Sequence, residues 1–212
     1  MKLNKEDLLL YAVTDRSWLK GNELKDVVAE AIEGGITFLQ MREKDLIFED
    51  FLQEAREIKK ITDKYKIPFV INDNVEVALA VDAHGVHIGQ SDEELTEVRK
   101  KLGQDKIIGV SAHNVEEALK AEESGADYLG VGAMFVTSSK DDAIPVTIDE
   151  LRNICNAVSI PVVAIGGIST ENILELKGTN ISGVAVISAI FAKKNIKEAS
   201  ENLKILSKEA SK

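Results

Sequence analysis

Three kinds of residue in this chain could handle phosphate chemistry, and all follow hydrophobic stretches. Arg42 and Lys44 come at the end of TFLQMREKD (37–45), and Lys140 lies in YLGVGAMFVTSSKDDA (128–143). Arginine grips phosphate oxygens with a planar fork, whereas lysine acts as a point charge. Asp73 in VINDN (70–74) and Asp92 in HIGQSD (87–92) close two successive stretches, so their carboxylates can converge. Two carboxylates beside a polyanion suit Mg²⁺, which takes few protein oxygens and completes its octahedron with phosphate and water. GGIS (166–169) and the Ile187-Ser188 pair offer backbone N–H groups for a second anion, since glycine turns and helix starts need no side chain for that purpose. Two anion sites and a metal suggest two phosphorylated substrates, or one diphosphorylated substrate and one monophosphate.

Each feature has a plainer reading. Asn72-Asp73 could cap the helix that VEVALAV (75–81) predicts, and Asp92 could cap EELTEVRKKLG (93–103). Thr137, Ser138 and Ser139 could form an ordinary polar loop. Gln40, Arg42 and Lys44 share a side only if the strand runs that far. The functional reading rests on all of them falling on one face at once.

A single architecture would place them so. Eight short apolar runs recur at 8–13, 37–41, 68–71, 85–89, 107–111, 127–132, 161–166 and 183–188. Most are continuously apolar, as strands buried on both faces are. Helical stripes alternate with them, at 24–35, 48–65, 115–127, 147–158 and 195–210 among others. Eight strands and eight helices in 212 residues predict one compact (β/α)8 TIM barrel spanning 1–212; a doubly wound open sheet is the other arrangement with this alternation. In a barrel, the residues after each strand gather at one rim, where catalysis occurs.

Composition narrows the partners. The net charge of −10 argues against nucleic acid. No apolar run reaches the length of a membrane span, and the hydrophobic start is too short for a signal sequence. The lone cysteine, Cys155, permits no internal disulfide and reads as a small buried helix residue. A cytoplasmic protein acting on small phosphorylated molecules is the expectation, with homo-oligomerisation left open.

LYAVTDR, QMREKD, INDNVEVALAVDAHGVHIGQSD, GVSAHN, YLGVGAMFVTSSKDDA, VAIGGI and GVAVISAI, in this order from about residue 8 to 192, together resemble the thiamine-phosphate synthase (thiamine-phosphate pyrophosphorylase) family. The resemblance implies Mg²⁺-dependent transfer of 4-amino-2-methyl-5-pyrimidinylmethyl from its diphosphate to a thiazole or carboxythiazole phosphate. The products are thiamine phosphate and pyrophosphate, formed through a dissociative, carbocation-like step. It implies a pyrimidine diphosphate site at Gln40, Met41, Arg42, Glu43, Lys44, Asn72, Ser111 and Lys140. Of these Arg42, Lys44, Ser111 and Lys140 carry the catalysis. It implies Mg²⁺ ligands at Asp73 and Asp92, and a thiazole phosphate site at Thr137, Ser138, Ser139, Gly167, Ile187 and Ser188.

Two departures stand out. Gly132-Ala133 replaces an expected Gly-Pro, which should loosen the following loop, and Ser139 replaces a threonine. A thiazole tautomerase-like isomerase on the same barrel would need neither the cations nor the metal pair. A sugar-phosphate epimerase would need a His/Asp metal constellation, for which His84, His87 and His113 lack evident acidic partners. His87 reads as a packed or supporting histidine. A non-catalytic phosphate-ligand-binding barrel would keep the pockets without turnover.

Overall fold

A computed structural model describes residues 3–90, 92–137 and 144–212. Eight parallel strands close into a barrel in chain order: β1 (Leu10–Val13), β2 (Phe38–Met41), β3 (Phe69–Asn72), β4 (Gly85–Ile88), β5 (Ile107–Ala112), β6 (Tyr128–Val131), β7 (Val162–Ile165) and β8 (Gly183–Val186). The architecture is the (β/α)8 TIM barrel. Helices α1 (Leu24–Glu33), α2 (Phe48–Tyr65), α3 (Val75–Ala80), α4 (Leu95–Leu102), α5 (Val115–Glu123) and α6 (Ile148–Ala157) cross between strands. A short α7 (Ser188–Phe191) and a long α8 (Ile196–Ala210) follow β8.

Every residue of β1, β2, β4, β6 and β8 is buried. One side faces the helices and the other the lumen, which is why the strands read as unbroken apolar runs. The larger core is the belt between strands and helices. A separate lumen core includes Tyr11, Val13, Phe38, Val70, Ile107, Tyr128 and Val163. Its aromatic rings fill the barrel: Tyr11 and Phe38 lie 4.6 Å apart by centroid and Phe38 and Tyr128 5.6 Å.

One predicted element differs. No regular helix follows β7; a 3₁₀ turn at Ile173–Leu176 takes its place. Ile173 and Leu176, three apart, are both fully buried, and a three-residue repeat puts both on the barrel wall. Gly178 and Asn180, both at positive φ, then turn the chain into β8. No helix among the described residues is long and apolar enough to cross a membrane.

Candidate active site

Parallel strands in a closed barrel deliver all their C-terminal ends to one rim. The β1 end supplies Thr14 and Asp15, and the β2 end Arg42 to Lys44. Since β2 stops at Met41, the alternation that would align Gln40, Arg42 and Lys44 stops there too. Met41 is fully buried, and Gln40 turns into the lumen, where its Nε2 donates to the Tyr11 hydroxyl at 2.5 Å. The Arg42 amide donates to Thr14 Oγ1 at 3.0 Å, and its Nη1 donates to Asp15 Oδ2 at 3.0 Å. Both partners of this ion pair are only 15% exposed, so the guanidinium is held in place at the rim. Asp15 also accepts from the Ser17 amide at 3.0 Å, which fixes the carboxylate itself. Lys44 lies exposed on the turn beyond. Glu43 turns elsewhere: its side chain, 2% exposed, takes Arg16 Nε at 3.1 Å. Burial raises its pKa, and Arg16 pulls it back.

After β3 and β4 come the two carboxylates. Neither acts as a helix cap. Asn74 caps α3, its Oδ1 accepting from the Val77 amide at 2.9 Å, and Glu94 stands at the start of α4 with no side-chain cap bond. Asp73 instead adopts a left-handed φ of 60°, a conformation aspartate tolerates better than most residues. Its amide donates to the His87 carbonyl at 2.9 Å, tying this loop to β4. Asn72 Nδ2 donates to Asp73 Oδ2 at 2.5 Å, and the Gly89 amide donates to Asp92 Oδ2 at 2.5 Å. Asp73 is raised to about 7 by desolvation and then by the neighbouring Asp92 carboxyl, with Asn72 and Arg42 opposing. Two neighbouring hard-oxygen groups whose negative charges repel can be relieved by a divalent cation between them. The donor set therefore fits Mg²⁺.

Ser111, on β5, lies at the rim end of a chain of hydrogen bonds through the lumen. Its Oγ is 3.0 Å from His87 Nε2. His87 Nδ1 is 3.0 Å from the Tyr128 hydroxyl, which lies 2.8 Å from the Tyr11 hydroxyl. Two glycines make room: a Cβ on Gly109 would come within 2.1 Å of the Tyr128 ring, and one on Gly130 within 3.1 Å of the His87 ring. His87 is thus a packed, hydrogen-bonded histidine.

The β6, β7 and β8 ends form the remaining third of the rim. Gly167 has φ +65°, and a Cβ there would meet the Val136 carbonyl oxygen at 2.4 Å, so only glycine lets the two loops touch. Asn172 buttresses this turn, its Nδ2 donating to the Gly167 carbonyl at 2.9 Å and its Oδ1 accepting from Ser169 N at 2.8 Å. Ala133 follows a cis peptide and is held on both sides: its amide donates to the Ile144 carbonyl, and its own carbonyl accepts from Val146, both at 2.8 Å. The loop expected to loosen is anchored at that residue. Ile165 pairs with Ala185, so Gly167 and Ile187, each two residues further on, stand at neighbouring strand ends, with Ser188 opening α7. Thr137 is the last residue described before Ser138, Ser139 and Lys140, which lie outside the described residues.

The three histidines do not meet. The His84 ring accepts from the Phe69 amide at the opposite end of its strand, His87 is in the lumen, and His113 pairs with Glu117 at 2.9 Å. Among the described residues no cluster of three or more His, Cys, Asp or Glu could hold a metal. Sequence reasoning missed Thr14, Asp15, Tyr11, Tyr128 and Asn172. Asp15 was findable, since it follows β1 as Asp73 follows β3. The tyrosines read as core.

The family model described as thiamine monophosphate synthase matches residues 10–190. The chain is 56% identical over 197 residues to a thiamine-phosphate synthase of Clostridium tetani, covering 93% of this chain and 94% of the relative. It is 52% identical over 198 residues to a thiamine-phosphate synthase of Alkaliphilus oremlandii, covering 93% and 95%. Its fold superposes on a thiamine phosphate pyrophosphorylase from Pyrococcus furiosus with a TM-score of 0.90 at 39% identity, covering 97% and 98%.

Proposed function

The chain belongs to the thiamine-phosphate synthase family, a family of transferases in thiamine biosynthesis, and we propose that it joins 4-amino-2-methyl-5-pyrimidinylmethyl diphosphate to a thiazole phosphate with release of pyrophosphate. The observation that carries this reading is the Asp73–Asp92 carboxyl pair beside Arg42 at the strand-end rim. An isomerase acting on the thiazole phosphate alone has no use for such a pair.

In this reading the bond between the pyrimidine methylene and the diphosphate oxygen breaks first, and its electron pair leaves with the diphosphate. The thiazole nitrogen then supplies the pair that forms the new C–N bond. Arg42, held by Asp15, and Lys44 and Lys140 take up the charge that develops on the leaving group. Ser111 donates to the pyrimidine diphosphate, with Gln40 and Asn72 lining the approach. Asp73 and Asp92 would hold Mg²⁺, which supplies charge neutralisation to the departing diphosphate. Thr137, Ser138, Ser139, Gly167, Ile187 and Ser188 receive the thiazole phosphate and hold its ring nitrogen near the methylene. Met41 and Glu43 complete the β2 end, Glu43 by fixing Arg16. No protein nucleophile is required. The half-buried Cys155 thiol, pushed up to about 11 by desolvation, is unsuited to that role.

Pyrophosphate release tests the reading. Release that requires both substrates, appears with Mg²⁺, disappears with EDTA and tracks thiamine phosphate formation would support it. Thiazole phosphate binding without release would sink it and favour an isomerase or a non-catalytic binder.

A further inference from the structure

The lumen chain has a direction. Gln40 Nε2 bears hydrogens and no free lone pair, so at 2.5 Å it can only donate to the Tyr11 oxygen. The single Tyr11 hydroxyl hydrogen then has one acceptor in line, the Tyr128 oxygen at 2.8 Å. Tyr128, having accepted, turns its own hydrogen to His87 Nδ1 at 3.0 Å. A ring nitrogen that accepts carries no hydrogen, so the neutral ring holds its hydrogen on Nε2 and gives it to Ser111 Oγ at 3.0 Å.

We propose that Gln40, Tyr11, Tyr128 and His87 form a one-way hydrogen-bond relay that holds His87 as its Nε2–H tautomer and leaves the Ser111 hydroxyl hydrogen directed at the pyrimidine diphosphate. The proposal rests on the reading of Ser111 as a substrate contact, and it makes His87 and Tyr128 positioning residues. The relay crosses five strands, β2, β1, β6, β4 and β5, so it is a property of the closed barrel and of no single motif. Its members are locked. Tyr11 and Tyr128 are at most 1% exposed and Gln40 and His87 at most 9%, and the lumen packs their rings edge to face. Desolvation by burial raises both phenols well above their ordinary range, so both keep the hydrogens the relay needs. Gly109 and Gly130 leave the two ring-shaped spaces that Tyr128 and His87 occupy. A buried polar chain of this kind is stable when its members are satisfied, and with this polarity each link from Gln40 to Ser111 pairs one donor with one acceptor. The Ser111 hydroxyl, having accepted from His87, keeps its own hydrogen to give, and Ser111 is only partly buried at the rim end of the chain.

The decisive measurement is the ¹⁵N-edited NMR spectrum of the imidazole groups in the intact protein, with His87 assigned by its loss in His87→Gln. The expected result is a bare Nδ1 and a protonated Nε2. In Tyr128→Phe that single tautomer gives way to a mixture. Hydrogen on Nδ1 in the wild type overturns the relay, and this readout needs no turnover. In the pyrophosphate assay, Tyr128→Phe should lower kcat about tenfold, the loss of one hydrogen bond's worth of orientation, while the KM for thiazole phosphate stays within about twofold. Because His87 and Tyr128 act through Ser111, the double variant Ser111→Ala/Tyr128→Phe should be no slower than Ser111→Ala alone; independent, multiplying losses would overturn the proposal. Absence of turnover in the wild type would sink the synthase reading and leave the tautomer result standing, so the two failures are distinguishable.

Discussion

The Arg42 guanidinium lies 3.0 Å from the Asp15 carboxylate, each from a different strand end and each only 15% exposed. The pair sets where a cation stands before any anion arrives. Asp15 fixes one edge of the guanidinium, and the Arg42 charge is near enough to Asp73 to act on it. Removing the Asp15 charge should therefore shift Arg42 while leaving its charge. Asp15→Asn is expected to raise the KM for the pyrimidine diphosphate about three- to tenfold, in line with one charge-assisted hydrogen bond, with little change in thiazole phosphate KM. Arg42→Ala should cost more, in kcat as well as KM, because the charge itself is gone. Steady-state kinetics with each substrate varied in turn checks both, and equal weakening toward the two substrates would dissociate Arg42 from the diphosphate.

The raised Asp73 carboxyl beside Asp92 makes a second outcome measurable without substrate. Asp73 is raised from its ordinary value of 3.8 to about 7. Between those values the folded protein holds a proton that the unfolded chain gives up, so this group lowers stability progressively as pH climbs from about 4 to 7. Above 7 the penalty is complete and constant. Asp73→Asn cannot carry the penalty. In EDTA it should melt higher than the wild type at pH 8 and equal to it near pH 4. Asp73 is solvent-accessible, and screening holds the gap to about 2–4 °C for a chain of this size. Adding Mg²⁺ should raise the wild-type melting temperature and leave the variant where it was. A variant that gains as much from Mg²⁺ as the wild type would remove Asp73 from the cation site.

Much of this arrangement is legible before any coordinates. Strands buried on both faces leave unbroken apolar runs, so the eight strands follow from the chain alone, while closure in chain order, against an open doubly wound sheet, is seen only in the structure; given a barrel, the strand-end rule picks out Arg42, Asp73, Asp92 and Ser111. What does not follow is which way a polar side chain turns at a strand end. Gln40 and Arg42 are two apart, yet Gln40 enters the lumen and Arg42 folds onto Asp15, because β2 ends between them. Asn72, Asp73 and Asn74 are chemically similar as cap candidates, and only the backbone shows that Asn74 caps α3 and frees Asp73 for Asp92. The segment after β7 has helical composition, but its short path to β8 leaves room for a 3₁₀ turn. Tyr11 and Tyr128 are indistinguishable from packing residues until their hydroxyls are seen to meet.

Gly109 offers a test of how tightly that lumen is built. Its missing Cβ is the space the Tyr128 ring fills, 2.1 Å from where the carbon would be. Tyr128 is fully buried against Phe38 and Tyr11, so it cannot retreat without moving its neighbours. Gly109→Ala is expected to destabilise the fold by about 1–3 kcal/mol, the usual cost of overpacking a filled core. A urea midpoint unchanged from wild type would show that the ring has another place to go.

Cys155 supplies the last check, on whether the chemistry needs a side-chain nucleophile. Desolvation raises its thiol to about 11 from an ordinary 9.0, and thiolate, the alkylating species, is correspondingly scarce. At pH 8 iodoacetamide should modify the folded protein about a hundredfold more slowly than the urea-unfolded chain, in proportion to that two-unit difference. Protein that has been alkylated after unfolding and then refolded measures fold recovery alone, so the informative sample is the native protein after long exposure. Its pyrophosphate release should persist for as long as the fold does. Rapid native alkylation that abolishes turnover with the melting temperature intact would place Cys155 at the reaction and refute a displacement driven by leaving-group stabilisation alone.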